Sequence, residues 1–436
     1  MRDGKGMVKL TEYEQEMLSG VHGALKQQAM KKVVEYAGVL GAEELCEVTM
    51  AHVFCGAHEY LNAAGSDDIE ETVAQMQFCT DEKMPKDDYV CYCQSDCGPM
   101  DSTRYAEMGV SGAEGKKNQE YLDYYRDRGV NMVGTCVPYM CGFIPLRGEH
   151  YVSSESHAVT LMNSLWSACG NSDGLEAGFW AAACGRTPKW GNHIMENRKG
   201  THVFNVKCRI KSSMDWDLLG YSIGRKLPTH AVPVVNGLQD RPNIFNVKYF
   251  FAAMATTAGP EMCHLVGISP EAVTLDMALG GNEPQVVIEI TGEDLKESWA
   301  ILNGYKTGKQ PIDYISLGCP HYSIEELRKI AGLLENRKIA DNTVLHVWTA
   351  PPIKETADRC GYTKIIEESG AIMLTSSCPL TSGKMPEGAR NIGFDSAKQA
   401  HYIAPGTEAD VFYGSLEDCL ESAVSGYWEV REWEEK

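Results

Sequence analysis

Residues 314–335 read YISLGCPHYSIEELRKIAGLLE. An apolar run, a Gly-Cys-Pro-His turn and the capping box Ser323-Ile324-Glu325-Glu326 give the order strand, turn, helix. The pattern repeats around it. VVIEI (286–290), TVLHVW (343–348) and AIMLTS (371–376) read as strands, and 292–303, 323–335 and 354–369 as helices. Apolar strands alternating with helices predict an α/β fold with a parallel sheet. Working outward, Thr11-Glu12-Tyr13-Glu14 caps a helix that continues through Met17, Val21 and Leu25. Cys46–His52 reads as a short strand, 118–128 as a helix, NMVGTCVPY (131–139) as a strand entering a turn, and Ser156–Ala168 as an apolar helix. The segment 79–117 is rich in Asp, Lys, Gly, Pro and Cys and reads as a long loop. We divide the chain into an N-terminal α/β region, 1–240, and a C-terminal one, 241–436.

The chain has 436 residues, enough for about three ordinary domains or two large ones, and 43% are hydrophobic, so it buries a substantial core. Sixty acidic against forty basic residues give a net charge of −20, which excludes a nucleic-acid backbone or an anionic membrane as a general partner. A small anion can still bind in a pocket that supplies its own cations. Sixteen cysteines in a chain of this size, with no apolar leader and no apolar run of about 18 residues, point to a reduced, cytoplasmic protein.

Two of the strands end in Cys-Pro, at Leu317-Gly318-Cys319-Pro320-His321 and Ser376-Ser377-Cys378-Pro379. Ligands of open parallel sheets bind beyond the carboxyl ends of the strands, so both thiols point to one crevice. Cys136, in Gly134-Thr135-Cys136-Val137-Pro138-Tyr139, ends a third run. Three converging thiols suit an iron site with one open position; the plain alternative is three buried, inert cysteines. The stretch 143–198 collects Arg147, Glu149, His150, Ser154, Glu155, Ser156, Asn163, Ser164, Arg186 and Arg198, the residue types that hold a small anion. Arg186, in a Gly-Arg-Thr-Pro turn, can offer a bidentate contact to a carboxylate, or simply be solvated.

Competing patterns are Cys79, Cys91, Cys93 and Cys97 as a zinc or redox loop in a non-catalytic metal-binding protein, and His52, Cys55 and His58 on one helical face. GxSxG occurs at 170–174 and 220–224 without the strand-turn-helix context of a nucleophile elbow. GYKTGK (304–309) is too short between its glycines for a phosphate loop.

The ordered set TCVPY (135–139), GEH (148–150), SES (154–156), NS (163–164), GRTPKWGNH (185–193), ENR (196–198), LGCPH (317–321), SSCP (376–379) and DSAKQAHY (395–402) resembles the large subunit of aconitase X over nearly the whole chain. The resemblance implies an aconitase-like, multi-domain α/β fold with an iron site in the crevice between domains. It also implies a hydro-lyase acting on cis-3-hydroxy-L-proline or mevalonate 5-phosphate, with a [2Fe-2S] cluster or a mononuclear iron held by Cys136, Cys319 and Cys378. A small swivelling subunit, absent from this chain, would supply the catalytic serine and make the enzyme a heteromer. By the same resemblance His52, Glu149, His150 and Glu155 are candidates for proton handling. Ser154, Ser156, Asn163, Ser164, Arg186, Ser396 and Lys398 would bind the substrate, with Lys189, Arg198 and Lys384 available for a phosphate. The family's usual arginine after the NS motif is replaced near Cys169, and the 79–117 segment is longer than the family's loop.

Overall fold

The computed structural model describes residues 8–55, 68–78, 80, 83–87, 89–431 and 433–435, so His58 and Cys79 lie outside the described residues. Three parallel sheets organise the described chain, each joined by crossover helices as parallel pairing requires. The first sheet has the order Val130–Asn131, Tyr92–Ser95, Met50–Val53, Tyr151–Ser153. The second has the order Val286–Ile290, His202–Val206, Pro233–Asn236, His264–Leu265. The third, five-stranded, has the order Ile372–Thr375, Val344–Thr349, Tyr314–Tyr322, Asn391–Phe394, Asp410–Tyr413.

The stretch that opened the sequence reading is the centre of the third sheet. Every residue of strand Tyr314–Tyr322 is buried. Helix Ile324–Leu334 covers it with Leu327, Ile330, Ala331 and Leu334, one apolar stripe at helical spacing. Each large aliphatic side chain buried there contributes about 1.5–3 kcal/mol. Both capping boxes form: Ser323 and Glu326 exchange side-chain to backbone hydrogen bonds, as do Thr11 and Glu14.

Several expectations are corrected. VVIEI is a strand, but of the second sheet, where it pairs with His202–Val206. The helical stretch 354–369 is two helices, Pro351–Cys360 and Tyr362–Glu368, broken at Gly361, whose φ of +78° is left-handed. The 79–117 segment is not a loop: it holds strand Tyr92–Ser95, the 3-10 turn Tyr105–Met108 and the start of helix Gly112–Arg126. Cys91 and Cys93 pack there as small hydrophobes, which conceals the strand in a polar sequence. His52 is on strand Met50–Val53, not a helix, so it shares no helical face with Cys55. No helix among the described residues is long and apolar enough to cross a membrane.

Gly318 fixes the irregularity around Cys319, where the pairing with Val344–Thr349 shifts register between Leu317 and Tyr322. Its φ is +104°, and a Cβ there would meet the Trp348 carbonyl oxygen at 2.3 Å. Gly318→Ala therefore combines left-handed strain with overpacking, a cost of about 2–4 kcal/mol. We expect a clearly lower thermal midpoint in a calorimetric scan, whereas Gly332→Ala, on an open face of helix Ile324–Leu334, raises it slightly, through about 0.5–1 kcal/mol of helix propensity.

Candidate functional site

The first and third sheets face each other through the carboxyl ends of their strands. From the first come His52, Asp96, Cys97, the Thr135–Cys136 turn, Ser154 and Glu155; from the third come Cys319, His321, Cys378, Ser396 and Lys398. Backbone bonds close the seam: Gly98 N–H donates to Ser376 O at 2.6 Å, and Thr375 N–H to the Asp101 carboxylate at 2.7 Å. The two sides approach closely because Gly134 has no side chain; a Cβ there would lie 2.9 Å from Ser376 Oγ. Ser376 itself sits at φ +63°, the strained left-handed region that marks over-determined, functional backbone.

His321 joins three of the cysteine segments. Its Nε2 lies 2.8 Å from Ser377 O, its Nδ1 3.0 Å from Thr135 Oγ1, and its backbone N–H donates to Cys136 Sγ at 3.4 Å. A carbonyl can only accept, so Nε2 carries the hydrogen and Nδ1 accepts from the Thr135 hydroxyl. Burial pushes the ring down to about 4 and keeps it neutral. Cys97 Sγ stands 3.7 Å from the same ring. From behind, Lys248 Nζ donates to Pro320 O and His321 O and forms a buried pair with Glu326 at 2.8 Å.

Four thiols share this space. Cys97 donates to Cys136, and that bond, with the His321 N–H and the Lys398 ammonium, outweighs burial and lowers the Cys136 thiol. Burial, then the neighbouring Cys378, drives Cys319 well up; burial also raises Cys378, whose backbone caps helix Pro379–Ser382. Ser396 hydrogen-bonds to Cys319. Glu155 caps helix Ser156–Trp166 and binds His157 Nδ1 at 2.6 Å and Lys398 Nζ at 3.0 Å. Burial opposes its ionisation, but Lys398 and His157 together hold the carboxyl well below its usual range. Burial likewise acts against the Lys398 charge, yet Glu155, then Cys319 and Cys136, raise it. Asp96 accepts the Cys97 N–H at 2.6 Å and is pushed well up by burial and by Glu155.

The ligand atoms that close to within 4.8 Å of one another here are those of Cys97, Cys136 and His321, while Cys319 and Cys378 face the same space with Glu155, Lys398 and Ser396; Ser154 and Ser156 flank Glu155, and His52 stands behind Thr135. His52 is fully buried, with Nε2 2.9 Å from Thr135 O and Nδ1 3.2 Å from Ser153 Oγ. Both ring nitrogens are engaged, and burial lowers the ring to about 4. Glu149 and His150 stand apart from this group: they precede strand Tyr151–Ser153, at the amino end of the sheet, about 16–20 Å of extended chain from Glu155. There Glu149 accepts from Thr49 and Leu146, and His150 meets His193.

Asn163 and Ser164 lie about 12 Å further along the helix that Glu155 caps. Asn163 uses both amide hydrogens on Gly170 O and Glu261 O and accepts from Gly170 and Tyr151; Ser164 accepts from Cys263 N–H. Arg186 pairs with Glu14 at 2.9 Å beside the small Leu45–Glu47/Arg186–Pro188 ribbon. Among the described residues the loop's cysteines form no common group: Cys91 donates to Val48 O, whereas Cys97 turns to Cys136 and His321. The sequence reading missed Asp96, His321 and Lys248 and assigned Cys97 to a separate zinc or redox loop; the signal for its place in the crevice was present in Cys97-Gly98-Pro99, another Cys near Pro just past a strand.

Two outcomes follow from these contacts. His321→Leu strands the Ser377 carbonyl and the Thr135 hydroxyl in the interior at about 1–3 kcal/mol each, so the thermal midpoint falls. In Glu155 the folded value is lowered, so its stabilisation is complete above about pH 4.5 and is lost as pH falls below that. Lys398→Met leaves that carboxylate buried with weaker support, at about 3–5 kcal/mol, and acid unfolding monitored by circular dichroism moves to higher pH.

Family models describe the same chain in three parts: aconitase X first domain over residues 7–196, second domain over 200–300 and third domain over 312–425. The phosphomevalonate dehydratase large subunit of Methanocaldococcus jannaschii is 30% identical over 94% of this chain and 99% of its own length. The cis-3-hydroxy-L-proline dehydratase of Hypocrea jecorina is 31% identical over 97% of this chain and 70% of its own length. The holo-form crystal structure of Thermococcus kodakaraensis aconitase X superposes with a TM-score of 0.81 at 28% identity, over 95% of this chain and all of that one. The chain belongs to the aconitase X family of hydro-lyases.

Proposed function

We propose that this chain is the large subunit of an enzyme that dehydrates a small hydroxy acid, with cis-3-hydroxy-L-proline as substrate and pyrroline-2-carboxylate as product. The observation that carries the reading is the gathering of Cys97, Cys136, Cys319 and Cys378 with Glu155 and Lys398 at facing strand ends. Thiols this deeply buried ionise beside a cation, so the donor set fits an iron centre, either a [2Fe-2S] cluster or a mononuclear iron, held by Cys136, Cys319 and Cys378. When bound, that centre supplies the Lewis acidity that a departing hydroxide needs.

The protein residues do the rest. Lys398 anchors the substrate carboxylate, and Glu155 keeps its ammonium charged and oriented. Ser154, Ser156 and Ser396 border the same space. His52 and His321 are positioning residues: each ring holds the Thr135 main chain or hydroxyl and so the thiol that follows. The proton alpha to the carboxylate passes to a base from outside the chain, the serine of a small swivelling subunit. Fifteen free cysteines among the described residues support a reducing, cytoplasmic setting.

A second reading, mevalonate 5-phosphate, is favoured by the near-complete coverage of the phosphomevalonate dehydratase large subunits. Against it, two of the three cations available for a phosphate are already engaged. Arg198 is clasped by Glu271 and three carbonyls, and Lys189 by Glu44.

Anaerobically purified protein is expected to hold near-stoichiometric iron, lost on Cys136→Ser. Cys378→Ala is expected to abolish dehydration by the reconstituted pair while the fold survives. Assays with the two substrates side by side separate the readings, and an iron-free protein fully active as Cys378→Ala sinks both.

A further inference from the structure

At the amino end of the first sheet, remote from the thiol crevice, three other metal-binding side chains converge. Cys46 Sγ and one ring nitrogen each of His150 and His193 all lie within 4.8 Å of one another. They come from separate parts of the chain. Cys46 is on strand Leu45–Glu47, His150 precedes strand Tyr151–Ser153, and His193 ends the 3-10 turn Gly191–His193. The turn is pinned: Asn171 Oδ1 accepts the Asn192 N–H at 2.8 Å, and Asn171 Nδ2 donates to Trp190 O. His150 and His193 line a cleft of about 690 Å³ with Glu43, Glu44, Cys169, Lys189 and Glu196, and Cys46 lies buried behind them.

A second observation points to a ligand. His193 is only 2% exposed, yet its Nε2 has no hydrogen-bond partner. The rings of His150 and His193 instead meet nitrogen to nitrogen, Nδ1 to Nδ1 at 3.0 Å. A buried imidazole nitrogen left without a partner costs about 1–3 kcal/mol, and neutral imidazole is a common metal ligand. The neighbouring cations do not bar a metal, because Lys189 is paired with Glu44 at 2.6 Å and Arg198 with Glu271 at 2.7 Å.

We propose that Cys46, His150 and His193 form a binding site for a borderline-soft divalent cation of the zinc class, with its fourth position open to the cleft. One sulfur and two imidazole nitrogens are the donors such ions select, and three protein ligands with an open position are the pattern of exchangeable zinc sites. Ligand atoms of a tetrahedral zinc site stand about 3.3–3.8 Å apart at ordinary bond lengths, so closure about the ion asks for small side-chain shifts only. The Cys46 thiol, raised to about 12 by burial, gives its proton to solvent as the ion binds. Such an ion ties the amino-terminal ribbon to the first sheet and to the 191–198 turns. Its existence is independent of the reaction proposed for the thiol crevice.

The test uses Co(II) as probe on the full chain after chelation and desalting. The expected result is one equivalent of Co(II) with tetrahedral visible bands and thiolate-to-metal charge transfer, retained in Cys136→Ser. Cys46→Ser is expected to abolish the charge-transfer band, and His150→Gln to weaken Co(II) by more than about tenfold, since even outer partners of a metal ligand are worth that much. His150 is half-buried, so its variant remains informative where His193→Ala lowers the thermal midpoint. Absence of Co(II) uptake by Cys136→Ser, or uptake there that Cys46→Ser and His150→Gln leave unchanged, overturns the proposal.

Discussion

The crevice depends on the imidazole of His321. One neutral ring, its tautomer fixed by a carbonyl, bonds Ser377 on the Cys378 segment and Thr135 on the Cys136 segment, while its own backbone belongs to the Cys319 turn. Three thiols from segments far apart in sequence are thereby referred to a single side chain. The ring in turn needs rigid support. Lys248 and Glu326 hold the backbone behind it, and Glu326 is also the capping residue of the helix that covers the central strand. Helix start, buried ion pair, imidazole and thiols form one connected framework, so a loosened cap is felt at the sulfur atoms.

Burial sets the electrostatics of this framework. It raises thiols and the Asp96 carboxyl and lowers both histidines, which favours the neutral form of each group. The exceptions are Glu155 and Lys398, ionised because each faces the other, and Cys136, which collects a thiol donor, a backbone N–H and the Lys398 ammonium. Charge within the crevice is thus centred on one ion pair, and Cys136 is the thiol most inclined to ionise. Such a place can accept a cation on the sulfur side and an anion on the ammonium side without reorganising solvent.

What the sequence disclosed follows from length and pattern. The third sheet was legible because its central strand is nine residues long and the helix after it announces itself with a capping box. The first sheet was largely illegible: its strands are two to four residues, too short for alternation to emerge, and one is written Tyr-Cys-Gln-Ser. The strand-end rule picked out Cys136, Cys319 and Cys378, and it would have picked out Cys97 had Tyr92–Ser95 been recognised. Glu149 and His150 stand apart for the converse reason. They are close in sequence to Glu155, but a strand lies between, and a strand carries its two ends to opposite edges of the sheet. Asn163, Arg186 and Arg198 each spend a key bond on a partner distant in sequence (Glu261 O, Glu14 and Glu271), so nothing local separates a scaffold role from a binding one.

The same contacts explain why this crevice needs help to remove a proton. A general base works best with a pKa near the working pH and a lone pair free to reach the substrate. Glu155 fails the first condition, being held far below neutrality by Lys398 and His157. His52 fails the second, since its two nitrogens are committed to Thr135 O and Ser153 Oγ, and His321 fails it likewise. Asp96 is driven toward its protonated form. Among the described groups facing the thiols, each carboxyl or imidazole that sequence or geometry nominates as base is thus pinned, protonated or too acidic. Under the function proposed above, the crevice is a rigid, buried seat for the substrate, and the reactive base is the part it leaves to a second polypeptide.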